Sequence, residues 1–189
     1  MATSNHITPG MTISLGGKIY RVESSVKVAV AKGTPFIRTK LRDLTTNDVI
    51  EKNFKLDQSV KDVSLTEKRL EFLYLEGKDY LFLDIGNLEH VLVPKEIISD
   101  HAEFLKEGIE IKATFYGDAV YTVELPQFLE IMIAKLVIKE SKKGVKNPQP
   151  ATTKTAVLET GAQVEVPLFV ETGDIIKVDT KTREFIQRV

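Results

Sequence analysis

The chain has no cysteine and no tryptophan in its 189 residues. Without thiols there is no disulfide and no thiolate-held metal. Without tryptophan, and with no aromatic platform on any basic run, it is poorly equipped to stack bases as general single-strand binders do. No apolar run approaches the roughly 20 residues that cross a bilayer. The opening MATSNHITPG lacks the charged and apolar regions of a secretory signal. A soluble, cytoplasmic protein with no membrane partner is expected. Catalytic constellations are missing too. There is no phosphate-cradling loop and no GxSxG elbow, and His6, His90 and His101 are scattered without a ligand-spaced carboxylate set. The expectation is a protein that is not an enzyme and holds no metal or cofactor.

What is present is enough apolar content, 42% of residues, to bury a real core. The net charge of −1 hides an uneven spread. Residues 1–62 hold ten cations and six carboxylates, net +4; residues 63–125 hold six and thirteen, net −7; residues 126–189 hold ten and eight, net +2. Two basic ends around an acidic middle suggest a polyanion touched by the ends. The boundaries come from two candidate joints, the polar stretch FKLDQSVKDVSLTEK and the break at Leu125-Pro126. Three segments of about 60 residues each are large enough for small barrels.

Strand-like runs are short and frequent: MTISL, KIYRVES, FIRTKLRDL, RLEFLYLEG, KDYLFLD, IEIKATFYG, AVYTVELP, QVEVPLFV, DIIKVDT and EFIQRV. Turn residues such as Gly16-Gly17, Gly117-Asp118 and Gly173-Asp174 separate them, the pattern of all-β barrels. One segment departs from it. In VPKEIISDHAEFLKEG the apolar residues Ile97, Ile98, Phe104 and Leu105 recur with helical spacing, Pro94 suits the start and Gly108 the end. A single amphipathic helix with two strand runs on either side fits a five-stranded OB barrel, with His101 packed or solvated on it. A faint echo between PGMTISLGGKIYRVE and TGDIIKVDTKTREFIQRV supports repeated barrels.

The stretch VKVAVAKGTPFIRTKLRDL, residues 26–44, reads as a hairpin with Lys32-Gly33 at its tip. Phe36, Arg38, Lys40 and Arg42 alternate with apolar residues, so they share one strand face. The stripe is either a solvated face or a rail for phosphates. Gly33 is expected to supply the unusual backbone angles of a tight turn, and Pro35 to mark a strand start. A hairpin of six or so residues per arm projects its tip by about 20 Å. A second basic segment, VIKESKKGVKNPQPATTKTA, carries Lys142, Lys143 and Lys146; it is either a solvated loop or a phosphate contact.

The chain resembles the bacterial elongation factor P family over nearly its full length. The stretch KTAVLETGAQVEVPLFVETGDIIKVDT, residues 154–180, is similar to the family's C-terminal signature, and KGTPFIRTKL, residues 32–41, to its N-terminal hairpin. The resemblance implies an all-β, L-shaped molecule: an SH3-like (KOW-type) barrel at 1–62, a central OB-like domain at 63–125 and a C-terminal OB fold at 126–189. It implies a monomeric translation factor that binds the bacterial ribosome, touches peptidyl-tRNA and ribosomal RNA, and relieves stalls at consecutive prolines. Lys32 takes the tip position, near the peptidyl-transferase centre, where the family's basic residue is often extended by a lysine-modifying enzyme. Arg38, Lys40, Arg42, Lys142, Lys143, Lys146 and Arg188 take positions suited to RNA contact. The chain departs from the family pattern in three places. Val30-Ala31 stands where a Pro-Gly pair is usual, KKGVKNPQPATT replaces a loop containing Gly-Asp-Thr, and Phe185 to Arg188 replaces a terminal Tyr-x-x-Arg. Two alternatives stand beside this reading: a divergent ribosome-binding paralogue without proline-stall rescue, and a general single-stranded nucleic-acid-binding OB protein.

Overall fold

The computed structural model describes residues 2–137 and 152–189, and it is built mostly of strands in three sheets. The chain divides into two compact units. The first comprises residues up to Glu67 together with Thr114–Thr122, and the second comprises Lys68–Ala113 and Val123–Val189.

The first unit holds a six-stranded sheet in the order β1-β6-β2-β3-β4-β5. Its strands are β1 (Ala2–Thr3), β2 (Thr12–Leu15), β3 (Lys18–Val28), β4 (Phe36–Asp43), β5 (Val49–Lys55) and β6 (Ser59–Asp62). Strict alternation builds it. Along β4, Ile37, Thr39, Leu41 and Asp43 are buried while Arg38 and Lys40 face water. Ile13, Val22, Leu41, Phe54 and Val60 meet in one core cluster. Three of these strands were not legible as such, the two-residue β1 among them. β5 and β6 fall in and around the stretch expected to be a joint, and only residues 63–65 separate β6 from the next strand. Each of the two buries little more than one apolar side chain, Phe54 in β5 and Val60 in β6, so neither shows a period-two pattern.

A second sheet runs β11-β10-β7-β8-β9. Its strands are β7 (Thr66–Glu76), β8 (Asp79–Asp84), β9 (His90–Val93), β10 (Glu110–Tyr116) and β11 (Ala119–Glu124). The far end of the β10–β11 hairpin counts with the first unit, where the Tyr121 hydroxyl accepts the N–H of Ile19 at 3.0 Å. Three strands precede the helical segment rather than two, because HVLV forms the short β9. The helix is also shorter than its spacing suggests. A single α turn, α1 (Lys95–Ile98), gives way at Ser99 to a 3-10 segment ending at Phe104. Ser99 has φ 45°, outside the right-handed helical region, so the axis breaks there and only the 3-10 winding continues. Ile98 and Phe104 are nonetheless both buried.

The third sheet runs β14-β13-β12-β15-β16, from β12 (Phe128–Val137), β13 (Thr153–Leu158), β14 (Gln163–Pro167), β15 (Ile175–Asp179) and β16 (Glu184–Arg188). Its edge strands β14 and β16 come together, curling it into a barrel around Ile131, Ile133, Leu158, Val166 and Ile176. The run QVEVPLFV is strand only as far as Pro167; Leu168 and Phe169 leave it for a turn and lie exposed.

One hairpin recurs in all three sheets. Asp43, Asp84 and Asp179 end β4, β8 and β15, and each is buried. The carbonyl of each accepts the N–H of the residue four places on: Asn47 at 2.9 Å, Leu88 at 2.8 Å and Arg183 at 2.8 Å. Those three residues have φ 65°, 60° and 61°. Each carboxylate also accepts N–H groups from its own turn: Thr45 and Thr46, Gly86, Lys181 and Thr182. The sequence shows this only as D-x-x-x-x-[DE]. The β2–β3 hairpin, by contrast, turns through Gly16 and Gly17, both at positive φ, so it is not equivalent to the β15–β16 hairpin it echoes in sequence.

These turns lower the proton affinity of all three carboxyls. Burial pulls the Asp43 carboxyl upward, but the N–H groups of Thr45 and Thr46 and the ammonium of Lys18 outweigh it. The Lys68 ammonium leads at Asp84, and the Thr182 N–H leads at Asp179. A depressed carboxyl stabilises the fold above the unfolded value near 4, and that contribution is lost as pH falls through the folded value. Thermal unfolding followed by circular dichroism is therefore expected to give a flat Tm from pH 7 to about 5 and a falling Tm below about 4. Asp84→Asn lowers Tm at pH 7 and flattens the acid limb; an unaltered acid limb would rule out this carboxylate as a source. Phe54→Ala, in the first core, is expected to cost about 3–5 kcal/mol in denaturant unfolding.

Candidate nucleic-acid interface

The β3–β4 hairpin forms a finger. Residues 29–35 join the two strands, and Lys32 is the middle one of the seven. The N–H of Gly33 donates to the Val30 carbonyl at 3.4 Å, which closes a turn with Ala31 and Lys32 at its corners. Gly33 is the fourth residue of that turn and does not have a left-handed φ. Its smallness serves a different end from the one expected: a Cβ there would stand 3.2 Å from Val30 Cγ1. Pro35 lies immediately before β4, where its missing N–H costs no ladder bond.

β5 pairs with β4 along its whole length, from Arg42↔Val49 to Phe36↔Lys55. The finger is thus three strands wide up to the Phe36 row, with Ile37 and Phe54 buried behind it. Only the seven-residue loop projects, by about 10 Å rather than the expected 20 Å. The added strand makes the support stiff. Thr39 Oγ1 donates to the Lys52 carbonyl at 2.8 Å inside it.

Cross-strand register defines the outward face in four rows: Val28–Phe36–Lys55, Val26–Arg38–Asn53, Ser24–Lys40–Glu51 and Arg21–Arg42–Val49. Arg38 and Lys40 are exposed, and neither forms an ion pair among the described residues. The Arg38 guanidinium lies 5.9 Å from the Phe36 ring centroid. Arg21 and Lys55 add two exposed cations to this face. Lys27 and Lys52, paired with Ile37 and Thr39, add two on the other. Reading the sequence missed these four; only the register exposes them, and β5 was not legible as a strand. Arg42 differs from its neighbours. Its Nε donates to Glu23 Oε1 at 2.6 Å, and its Nη1 to the carbonyl and side-chain oxygen of Asn47 at 3.1 and 3.3 Å.

Arg188 belongs to the other compact unit and is not part of this face. It sits on β16, 3.5 Å from Asp174 and 5.9 Å from the Phe169 ring centroid. Phe185 packs edge-on against the same ring at 6.3 Å, a contact that needs no phenol hydroxyl. Lys142, Lys143 and Lys146 lie outside the described residues. His6 bonds Thr3, His90 sits on β9, and His101 is half-buried on the 3-10 segment. Burial, then Arg183, push the His101 imidazole below its ordinary value against Asp100 and Glu124.

Comparison with known proteins agrees with this architecture. Residues 3–60 match the elongation factor P (EF-P) KOW-like domain, residues 65–123 its OB domain and residues 134–188 its C-terminal domain. The chain is 62% identical over its full length, and the full length of the relative, to "Elongation factor P 1" of Protochlamydia amoebophila (strain UWE25). It is 44% identical, again over all of both chains, to "Elongation factor P 1" of Chlamydia pneumoniae. A translation initiation factor eIF-5A family protein from Naegleria fowleri shares the fold alone, with TM-score 0.50 at 9% identity over 66% of this chain and 96% of that one. Three tandem β modules of these types define a translation factor rather than a classical enzyme. The chain belongs to the elongation factor P family.

Gly33→Ala tests the tip turn. Its Cβ forces Val30 to yield by a few tenths of an ångström. Amide chemical shifts of residues 29–35 are expected to move while stability changes by less than about 0.5 kcal/mol; unmoved shifts would show the contact to be absent.

Proposed function

We propose that this protein binds the bacterial ribosome beside the peptidyl-tRNA and speeds peptide-bond formation at consecutive prolines, with Lys32 as the reaching group. The observation that carries the reading is the placement of Lys32 at the centre of a loop that stands beyond a three-stranded support, with cations on the rows beneath it that form no ion pair among the described residues. Family membership and the role that the resemblance implies support the same reading.

The chemistry follows from the shape. Proline is a conformationally restricted, poor nucleophile. The finger supplies no covalent step. It orders the acceptor end of the peptidyl-tRNA into reactive geometry, and the ribosome remains the catalyst. Arg38 and Lys40 hold the finger against RNA phosphates, each neutralised phosphate releasing counterions. Arg21 and Lys55 widen that footprint. The exposed Lys32 amine is the site for extension by a lysine-modifying enzyme, and the protein acts as a cytoplasmic monomer.

Reconstituted bacterial translation of a message encoding three consecutive prolines tests the reading. Unmodified protein is expected to speed synthesis through the prolines. No acceleration, with ribosome binding intact, favours instead the divergent paralogue, for which Val30-Ala31 at the turn is the motivating departure. Lys32→Ala is expected to abolish most of the acceleration and leave ribosome affinity within about threefold, since one tip contact is a small share of a large interface. Arg38→Ala with Lys40→Ala is expected to weaken binding and reduce the slope of log affinity against log salt by about two phosphate contacts. An unchanged slope would remove these residues from the interface.

A further inference from the structure

We propose that Arg42 is a positioning residue: with Glu23 and Asn47 it aims the finger, and it does not bind phosphate. The functional half of this inference rests on the ribosome-bound reading above.

The local geometry is a clamp. The β3–β4 register shifts between Val22 and Ser24, which places Glu23 at a β-bulge. Bulges bend the bulged strand and increase its twist, so the finger's direction is set at this point. The Arg42 guanidinium crosses the bend. It donates to Glu23 on β3 at 2.6 Å and to two oxygens of Asn47, in the β4–β5 turn, at 3.1 and 3.3 Å. One side chain thereby ties β3 and β4 to the β4–β5 turn at the finger's root. Asp43, the next residue, points to the opposite face, where its carboxylate pairs with Lys18 at 3.1 Å and holds the same turn through Thr45 and Thr46. The root of β4 is pinned from both faces.

The charge argument points the same way. The Glu23 carboxylate already offsets the Arg42 charge, and three of the guanidinium's hydrogen-bonding contacts are taken. A phosphate would have to displace a charge-assisted bond to recruit it. Arg38 and Lys40 carry no such burden. Leverage makes the clamp matter. From the Arg42 row to the loop tip is about 30 Å of extended chain, so a tilt of about 5° at the root moves the tip by roughly 2.5 Å, enough to spoil a positioning effect.

The test uses Glu23→Gln beside Arg42→Gln in the full-length chain, because the two readings predict opposite behaviour for the glutamate. If Arg42 bound phosphate, Glu23→Gln would free it and tighten ribosome binding, and Arg42→Gln would lower the salt slope by about 0.7–0.9. The clamp predicts that neither variant changes the salt slope or tightens binding, that each lowers triple-proline acceleration by about tenfold, and that the double variant is no worse than either single one. A second arm needs no ribosome. The chain has no native cysteine, so spin labels at Lys32→Cys and Lys61→Cys, both in the first unit, report the tip against the sheet. Each root variant is expected to broaden or shift that distance distribution. An unchanged distribution overturns the clamp. If wild-type protein fails to bind ribosomes, the ribosome reading falls while the label distances still decide what Arg42 does to the finger.

Discussion

The structure turns on a carboxylate buried at the end of a strand. Asp43, Asp84 and Asp179 each face the same problem: a connection of four or five residues leaves N–H groups of the turn without ladder partners. One side chain takes up those donors, while its own carbonyl takes the N–H four residues on. The cost of burying the charge is offset locally, by backbone dipoles and by Lys18, Lys68 or Gln127. Because the device needs only residues within one turn and one neighbour, it serves one hairpin in each of three sheets. It also fixes register, since a one-residue slip would turn each aspartate to solvent and its apolar neighbours with it.

In the first sheet this constraint reaches the candidate site. Asp43 and Arg42 are adjacent and therefore point to opposite faces of β4. One anchors the turn beneath the sheet and the other bridges the bulge above it. Everything beyond, the Arg38 and Lys40 rows and the loop carrying Lys32, inherits its direction from that root. The cations of the finger divide into two kinds on this account. Those that form no ion pair among the described residues are available to an anion; Arg42, already held by Glu23, braces the scaffold. Counting positive residues along the strand does not make the distinction, and the hydrogen-bond partners do.

Much of the architecture was legible in the residues. Alternation along FIRTKLRD gave β4 with its faces assigned correctly, and the strand-and-turn spacing gave an all-β chain. The family signature at 154–180 fell on β13, β14 and β15. What escaped has physical reasons. β5 and β6 each bury few apolar side chains, so their pairing shows only across the sheet. Helical spacing around Ile98 and Phe104 did not disclose the break at Ser99, because both side chains reach the core by either winding. Gly33 reads as a turn glycine, yet it has no left-handed φ, and what its smallness does is leave room beside Val30.

The amino-acid sequence by itself determined the family, the all-β class, the position of Lys32 at a hairpin tip and the alternation that turns Arg38 and Lys40 outward. These follow from composition, period and local turn chemistry, which act between near neighbours in the chain. Only the tertiary structure decided that β5 backs the finger for its whole length, that Arg21 and Lys55 share its charged face, and that Arg42 is already engaged by Glu23. Each of these depends on cross-strand register, and register is set by the simultaneous burial of distant side chains such as Leu41 and Phe54 in a common core.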